Sequence, residues 1–184
     1  MKHNKEDTRI IKSKKAIKDS FISLLETVPY KKFTIMDICK NANINRSTFY
    51  NYYRNKEDLF CTLIGDTNSQ FTYYFNESIN NSIKDAMTSL TEFLIDDFYG
   101  HYLNYQRILK VQDRFELFNL INKALYLTIY EFLSINSYLK LSIPKDFIAH
   151  YYSGALSNLY YWLAENNKIT KEEFKNYIFL FLNF

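Results

Sequence analysis

The run RSTFYNY, residues 46–52, places hydrogen-bonding side chains at six of its seven positions. The Arg46 guanidinium can pair with two acceptors at once, on a guanine edge or on a phosphate. The Ser47 and Thr48 hydroxyls can donate to base edges or to the sugar-phosphate backbone, and the Thr48 methyl group can contact thymine. The tyrosines of the run carry hydroxyls that can reach phosphate oxygens. This run therefore has the chemistry of a surface that contacts duplex DNA.

Such side chains need a helix that presents them outward. Phe49 and Tyr53 lie four residues apart and so share one face, which we expect to be buried. Asn45 is placed to cap the start of this helix. We therefore predict a short helix from Arg46 to about Tyr53, with an apolar base and a polar outer side.

A second short helix precedes it, across a tight turn. Thr34 and Asp37 have the spacing of a capping box, and Ile38 and Ala42 belong to the apolar side that follows. Asn43 can adopt the left-handed backbone conformation of a turn. Two short helices joined in this way form a helix-turn-helix, in which the second helix enters the major groove of DNA.

Helices are predicted through almost all of the remaining chain. Apolar residues at three- and four-residue steps predict a first helix that ends before Pro29. Asn55 with Asp58 predicts the start of a long fourth helix. The apolar positions of that helix are Leu59, Leu63, Phe71, Phe75 and Ile79. Later helices are predicted over 83–98, 103–111, 113–135, 147–165 and 170–184, the last opened by a Thr170–Glu173 capping box.

The composition supports an all-α fold. The chain has 184 residues, of which 47% are hydrophobic and 18% aromatic, enough to bury a core. Only 3 glycines and 2 prolines occur, too few for the turns of a hairpin-rich β fold. The first residues are polar, and no apolar run reaches the roughly 18 residues of a membrane span. We expect a cytoplasmic protein that does not enter a membrane.

Positive charge is concentrated near the start of the chain. Residues 1–60 hold 13 lysines and arginines against 7 acidic residues, whereas residues 61–184 hold 10 against 13. The cluster of Lys12, Lys14, Lys15 and Lys18 is either a solvated helix face or a set of phosphate contacts. Both interpretations stay open.

The residues that could support catalysis or metal binding do not form recognisable motifs. Cys39 and Cys61 lack a metal-ligand or disulfide spacing, and we expect two buried thiols. His101 and His150 are separated and have no nearby acidic or thiolate partner at ligand spacing. The sequence shows no glycine-rich phosphate loop and no nucleophile motif. We expect no metal, no cofactor and no enzyme activity, and a helical enzyme is the weakest alternative.

The segment from Thr34 to Leu59 resembles the helix-turn-helix signature of the TetR/AcrR family of bacterial transcriptional regulators. That pattern has a threonine-initiated helix with an Asp-Ile-Ala centre, an Ala-Gly turn, a Leu-Tyr-x-x-Phe core and a Lys-Glu-x-Leu ending. Its parts stand here as Thr34, Asp37-Ile38-Cys39, Ala42-Asn43, Phe49-Tyr50-Asn51-Tyr52-Tyr53 and Lys56-Glu57-Asp58-Leu59. The departures, Cys39, Asn43, Phe49 and Tyr53, preserve size class or backbone freedom.

The resemblance implies two domains, a DNA-binding domain over 1–58 and an effector-binding and dimerisation domain over 59–184. It implies a homodimer that represses transcription from a palindromic operator until a small molecule releases it. The residues that we take as DNA contacts, with Asn45 added from the helix start, are Thr34, Asn45, Arg46, Ser47, Thr48, Tyr50, Asn51, Tyr52 and Lys56.

The last two predicted helices resemble the pair that forms a four-helix dimer interface in this family. Small residues, Ser153, Gly154 and Ser157, would allow close helix approach, and Tyr160 would help to fill the seam. The alternative is that both helices complete the monomer core. The predicted interface residues are Tyr151, Ala155, Leu159, Trp162, Phe174, Ile178 and Phe181.

Aromatic residues of the middle helices are candidate contacts for an effector, although aromatic residues at helical spacing also build cores. They favour a small apolar or aromatic molecule over a sugar or a phosphate. The candidates are Phe93, Phe98, His101, Tyr102, Tyr105, Arg107, Phe115 and Tyr126. An alternative regulator is controlled by a protein partner or activates transcription, and a collapsed regulatory core would favour control by a partner.

Overall fold

The computed structural model describes residues 3–65, 83–135, 141–166 and 168–182. Across these ranges the chain forms nine α-helices and a short 3-10 turn, Tyr30–Lys32, and no β-strand. The helices are α1 His3–Leu25, α2 Ile35–Asn41, α3 Arg46–Tyr50, α4 Lys56–Gly65, α5 Ile83–Gly100, α6 Tyr102–Val111, α7 Arg114–Ile135, α8 Lys145–Glu165 and α9 Lys171–Leu182. The predicted all-α fold class is confirmed.

Local capping signals define several helix ends. Thr34 and Asp37 form a complete capping box at the start of α2, and Thr170 and Glu173 form another before α9. The Asn55 side chain accepts from the Asp58 N–H at 2.8 Å, as expected for the start of α4. These bonds satisfy N–H groups that the first helical turn leaves unpaired.

Two predictions for the first helices need correction. Helix α3 ends at Tyr50 rather than near Tyr53, because the Tyr52 N–H bonds back to the Phe49 carbonyl and tightens the last turn. The Asn45 side chain forms no cap hydrogen bond, although Asn45 occupies the N-cap position. Phe71, Phe75 and Ile79 of the predicted long fourth helix lie outside the described residues.

The reading head, residues 8–55, is built around a compact aromatic core. Phe21 is fully buried and meets the rings of Tyr30, Phe33 and Phe60 edge to face at centroid distances of 5.7–6.4 Å. Ile17 and Leu25 continue the buried face of α1. Edge-to-face contacts bring the positive ring edge to the negative ring face, so they orient these side chains as well as burying them.

The regulatory body, made up of the described residues from 56 to 182, is centred on α7. Helix α8 packs along α7, α4 packs against its other side, and α9 packs against α5. The Ser153 and Ser157 side chains are buried, and Ser153 receives a 3.5 Å hydrogen bond from Asn122 of α7. These small residues therefore sit in the α7–α8 contact within one chain, not in the predicted contact between chains. No helix in the described parts of the chain is long and apolar enough to cross a membrane.

Candidate nucleic-acid interface

Helix α3 is held on a buried base and turns its polar side outward. Phe49 is 0% exposed and packs against Tyr53 at a ring distance of 5.7 Å, with Ile38 of α2 also in the core. Arg46 and Tyr50 lie on the exposed side. The side chains that can form hydrogen bonds to DNA therefore point away from the head.

A residue in the left-handed backbone conformation lies in the turn between α2 and α3. Asn43 has φ of 52°, the only positive φ of a non-glycine residue in the described ranges. Asparagine tolerates this conformation better than most residues because its short side chain can bond locally. The turn chemistry predicted for Asn43 is confirmed.

Arg46 and Tyr50 form a pair on the outer side of α3. The Arg46 guanidinium donates to the Tyr50 hydroxyl at 3.1 Å, and its central carbon lies 5.4 Å from the Tyr50 ring centroid. The hydroxyl raises the pKa of Arg46, chiefly through this hydrogen bond. The bond uses one of five guanidinium donors. The pair orients Arg46 before any partner arrives.

The Thr34 hydroxyl already donates its proton to a hydrogen bond within the protein. The hydroxyl donates to the Asp37 carboxylate at 2.7 Å and accepts from the Asp37 N–H at 3.3 Å. The Thr34 N–H donates to the same carboxylate at 2.7 Å. The Thr34 N–H and hydroxyl together hold the pKa of Asp37 below its ordinary value. Thr34 therefore caps α2 at the edge of the exposed surface.

Lys56 is placed differently from the prediction. Its ammonium donates to the carbonyls of Tyr30 and Phe33, both at 2.6 Å, and lies over both rings. Burial lowers the pKa of Lys56, and the carboxylates of Glu116 and Asp37 oppose that shift. Two of the three ammonium donors are therefore used inside the protein. The structure assigns Lys56 to the attachment of α4 to the reading head.

The remaining candidate contacts surround α3. Ser47 and Asn51 are exposed, and Thr48 and Tyr52 are half-buried. The Lys14 ammonium of α1 lies 5.6 Å from the Tyr52 ring centroid. One lysine of the α1 cluster is thus beside α3, where it adds positive potential to the same surface.

Comparison with known proteins agrees with this geometry. The model of the bacterial regulatory proteins of the tetR family matches residues 22–62, which contain the capping box, the Asn43 turn, α3 and most of α4. The helix-turn-helix region of the chain is that of a TetR-family regulator. The expected fold and the helix-turn-helix resemblance are therefore confirmed.

Individual relatives match this chain over different lengths. YxbF of Bacillus subtilis, an uncharacterized HTH-type transcriptional regulator, is 39% identical over 64 residues, 34% of this chain but only 17% of YxbF. DhaS of Lactococcus lactis, an HTH-type activator of the dhaKLM operon, is 29% identical over 154 residues, 78% of this chain and 75% of DhaS. The fatty acid degradation regulator FadR of Bacillus halodurans has the same fold, with a TM-score of 0.58 and 17% identity over 92% of this chain and 94% of FadR.

The predicted dimer residues of this chain do not all face outward. Tyr151, Ala155 and Trp162 are exposed on α8, and Leu159 and Ile178 are half-buried. Phe174 is only 2% exposed and stacks on Trp162 at 6.3 Å, so it belongs to the α9 contact with the chain's own core. Tyr160 is also buried, and the Phe181 side chain lies outside the described residues.

The predicted effector contacts are dispersed over the regulatory body. Phe98 and Tyr105 line an apolar cavity of about 30 Å³, and Tyr105 with His101 lines a second one of about 120 Å³. Both cavities also involve Phe60 and Ile108. Phe93 packs half-buried against the core, and the Tyr102 side chain is not among those described.

Three of these candidates line neither of the two cavities. Phe115 is 75% exposed on the first turn of α7, where it lines a separate open cavity of about 560 Å³ with Tyr161 and Trp162 of α8. Arg107 pairs with Glu26, the residue after α1, at 3.7 Å. Tyr126 donates to Asp146 at 2.7 Å on the surface. Aromatic content alone could not separate such surface contacts from a cavity wall.

The cavity wall contains residues that the sequence analysis did not select. Tyr160 stacks on Phe98 at 4.9 Å, and the Tyr161 hydroxyl donates to the Arg114 carbonyl at 2.9 Å. Burial raises the pKa of Tyr161 to about 12, with Arg114 opposing that shift. Both tyrosines are on α8, a helix whose sequence predicts a dimer interface. Only the packing of α8 on α7 reveals which of its faces turns inward.

Proposed function

We propose that this chain acts as a homodimer that binds a palindromic DNA operator through α3. The observation that carries the proposal is the outward polar side of α3 over the buried Phe49. The dimer would place its two copies of α3 roughly 34 Å apart, which is one turn of the DNA helix. Each copy would then contact one half-site. The proposed DNA contacts are Thr34, Asn45, Arg46, Ser47, Thr48, Tyr50, Asn51 and Tyr52, with Lys56 in a supporting position.

The proposed boundary between the DNA-binding and regulatory domains falls after residue 58, in the first turn of α4. Helix α4 reaches both domains, because Lys56 bonds to the reading head while Glu57 pairs with Lys123 of α7. We place this function in the cytoplasm, where bacterial DNA is found.

An exposed apolar stripe on α8 supports the homodimer. Phe147 is 60% exposed and Tyr151 58% exposed, and they are followed at helical spacing by Ala155 and Trp162. Helix α9 adds exposed apolar side chains at Tyr177, Phe179 and Leu180. Large exposed apolar surfaces mark interaction sites, and aromatic side chains are enriched in interfaces.

Control by a small apolar molecule is the effector mechanism that we propose. Tyr105 and Ile108 of α6 line both cavities, so a ligand that entered there would displace α6. Such a ligand weakens operator binding only if it prefers the displaced arrangement. We propose that the operator-bound state represses transcription.

A second candidate is control by a protein partner, or activation instead of repression. The two apolar cavities at Tyr105, of about 30 and 120 Å³, are smaller than the roughly 300 Å³ of ordinary ligand pockets, and the larger cavity of about 560 Å³ at Phe115 is open to solvent. The relative DhaS is named as an activator. Either role would use the same reading head.

DNA binding is tested by selecting bound fragments from the source genome with the full-length protein. We expect enrichment of palindromic sites, and affinity for them should fall steeply between two salt concentrations because several phosphate contacts release counterions. Arg46→Ala is the matched variant, since it removes an exposed side chain of α3. Failure to enrich any site, with the protein folded, would disprove the proposed function.

The homodimer is tested by sedimentation of Tyr151→Asp beside Leu103→Asp. Both positions are large, exposed and apolar, but Leu103 lies on α6, away from the stripe. A charge buried in the α8 interface costs several kcal/mol, so Tyr151→Asp should sediment as a monomer. Leu103→Asp should remain a dimer. A wild-type protein that stays monomeric at micromolar concentration contradicts the proposal.

The effector is tested with flat aromatic and acyl-chain compounds in a thermal unfolding screen, followed by operator titration. Under our proposal, at least one compound raises Tm and weakens operator binding, and Ile108→Trp, which fills both cavities, abolishes the response. If compounds of neither class alter operator affinity, partner control becomes the preferred mechanism. A reporter gene placed after the selected operator then distinguishes repression from activation by the sign of the change.

A further inference from the structure

Gln112 lies at the end of α6 and bonds three main-chain groups of the reading head. Its Nε2 donates to the Leu25 carbonyl at 2.6 Å and to the Val28 carbonyl at 2.8 Å. Its Oε1 accepts from the Tyr30 N–H at 2.6 Å. The side chain is buried, with 8% of its surface exposed. We call this set of bonds the Gln112 clamp.

The clamp occupies the carboxyl end of α1, where the last helical carbonyls have no partner within the helix. Leu25 is the final residue of α1, and Tyr30 begins the 3-10 turn that leads to α2. An amide is well suited to this site, because it offers two donors to the two carbonyls and an acceptor to the N–H. The same three partners fix which amide atom is oxygen and which is nitrogen.

The clamp joins two parts of the chain that are far apart in sequence. Gln112 is separated from its partners by 82 to 87 residues. Two weaker ion pairs flank it, Arg107 with Glu26 at 3.7 Å and Lys31 with Glu116 at 3.6 Å. These pairs involve exposed lysine or arginine side chains and contribute little by themselves. The buried amide is therefore a stronger polar link to the reading head than either of these two ion pairs.

The clamp is also adjacent to the cavities. The Gln112 N–H bonds to the Ile108 carbonyl at 3.0 Å, so Gln112 lies one helical turn beyond a residue that lines both cavities. Its own backbone is extended, at φ −86° and ψ 148°. A displacement of α6 would therefore move the amide relative to Leu25 and Tyr30.

We propose that Gln112 is a positioning residue for operator recognition, which fixes the orientation of the reading head on the regulatory body and thereby the spacing of half-sites that the dimer accepts. The proposal rests on the proposed function. Gln112 does not contact DNA in this mechanism. It acts by holding α1 and the 3-10 turn, and through them α2 and α3, in one orientation.

Spacing selectivity tests this role directly. Operator affinity is measured for the selected site and for versions with one and two base pairs inserted between the half-sites. Wild type should discriminate strongly, because each insertion changes both the distance and the rotation between half-sites. Gln112→Met keeps an unbranched side chain of similar length but removes all three hydrogen bonds. We expect its preference for the native spacing to fall about tenfold, a difference of about 1.4 kcal/mol.

The matched control is Tyr99→Phe. The Tyr99 hydroxyl donates to the Ile169 carbonyl at 3.2 Å, a bond that lies wholly within the regulatory body. This variant should lose some thermal stability and keep wild-type spacing selectivity. If Gln112→Met does not fold, Gln112→Asn, which is shorter by one methylene group, is measured in the same way. A folded Gln112 variant with wild-type spacing selectivity overturns the proposal.

Amide hydrogen exchange tests the clamp independently of DNA. In wild type, the Tyr30 N–H should be protected by its bond to Gln112, and in Gln112→Met its exchange should accelerate far more than that of Ile38 in α2. Unchanged exchange of the Tyr30 N–H in Gln112→Met would show that the bond to Gln112 does not protect this group. Wild type that binds no operator disproves the proposed function, whereas accelerated Tyr30 exchange without altered spacing selectivity disproves only the positioning role.

Discussion

The reading head and the regulatory body use aromatic side chains in different ways. In the head, Phe21 meets Tyr30 and Phe33, and also Phe60 of α4, edge to face, and Phe49 is completely buried beneath α3. In the body, Phe98 stacks nearly parallel on Tyr105 and Tyr160, beside the smaller cavity. The core beneath α3 is thus filled by Phe49 and its ring neighbours, whereas the body retains space around its central rings, and the larger cavity extends to Ile22 and Leu25 where α1 meets α6.

This difference matches the two tasks. A surface that reads DNA must hold its donors within a narrow range of positions, which requires a filled core beneath them. A regulatory core must have two arrangements of similar free energy, and unfilled space beside α6 permits the second one. The following predictions test whether the two regions differ in this way.

The largest expected effect comes from removing a buried ring in each region. Phe49→Ala should destabilise the protein by about 3–5 kcal/mol and abolish operator binding, because α3 loses its base. Phe98→Ala should cost a similar amount in chemical denaturation, but it enlarges an existing cavity and leaves α3 in place. Folded Phe98→Ala should therefore still bind the operator. Equal loss of operator binding in both folded variants would remove the distinction between the regions.

A smaller effect is expected at the exposed pair on α3. Arg46→Ala should weaken operator binding about tenfold or more, and Tyr50→Phe should weaken it less and with little change in sequence preference. Fluorescence anisotropy with the selected operator measures both. Met36→Ala, at an exposed position on α2, is the control and should bind like wild type. If Arg46→Ala and Tyr50→Phe also bind like wild type, α3 is not the recognition helix.

The two capping boxes allow the same change to be made in both regions. Thr34→Ala in the head and Thr170→Ala in the body should each lower Tm by about 2–4 °C in this size of protein. Only Thr34→Ala should also weaken operator binding, because it loosens the start of α2. Scanning calorimetry and operator titration separate the two outcomes. A loss of operator affinity in Thr170→Ala would contradict the separation.

Acid should weaken both boxes by the same mechanism. Hydrogen bonds from threonine hold the pKa of Asp37 below its ordinary value of 3.8 and that of Glu173 below 4.5. The folded state therefore binds these protons less readily than the unfolded state, and the stabilisation is present at neutral pH. It is lost as the pH falls below those ordinary values, through the folded pKa. In Asp37→Asn and Glu173→Gln, this part of the acid dependence of Tm should disappear.

The smallest predicted effect concerns the Tyr53 hydroxyl in the reading head. The Tyr53 hydroxyl is buried and has no hydrogen-bond partner among the described residues. Burial raises the pKa of Tyr53, with Asp58 and Tyr52 adding to the shift. Tyr53→Phe removes the unsatisfied hydroxyl, so it should leave stability unchanged or raise it by up to about 1 kcal/mol. A clear loss of stability in denaturant unfolding would mean that the hydroxyl is bonded.

Local sequence patterns predicted the parts of the fold that depend on neighbouring residues. The Thr34–Asp37 and Thr170–Glu173 boxes and the Asn43 turn involve residues no more than three positions apart, and all were confirmed. The outward side of α3 was also predictable, because the Phe49–Tyr53 spacing identifies its buried face. Capping and turn conformations of this kind depend on neighbouring residues, so the sequence predicts them directly.

Contacts between distant segments could not be predicted in the same way. Lys56 matched a family position that contacts DNA, yet its ammonium bonds to carbonyls 23 and 26 residues earlier in the chain. The positions of Phe174 and Tyr160 on the last two helices predict a dimer interface, but both side chains are buried in the core of the chain. An apolar stripe shows that a helix has a face to bury, but it does not say which partner covers that face.

The sequence by itself determined an all-helical chain with a short polar recognition helix, because capping, turn chemistry and apolar periodicity act over a few residues. Only the tertiary structure decided how the reading head is attached to the regulatory body. Gln112 illustrates the reason: an amide has no preferred partner until folding brings two carbonyls and an N–H from more than eighty residues away to within hydrogen-bonding distance.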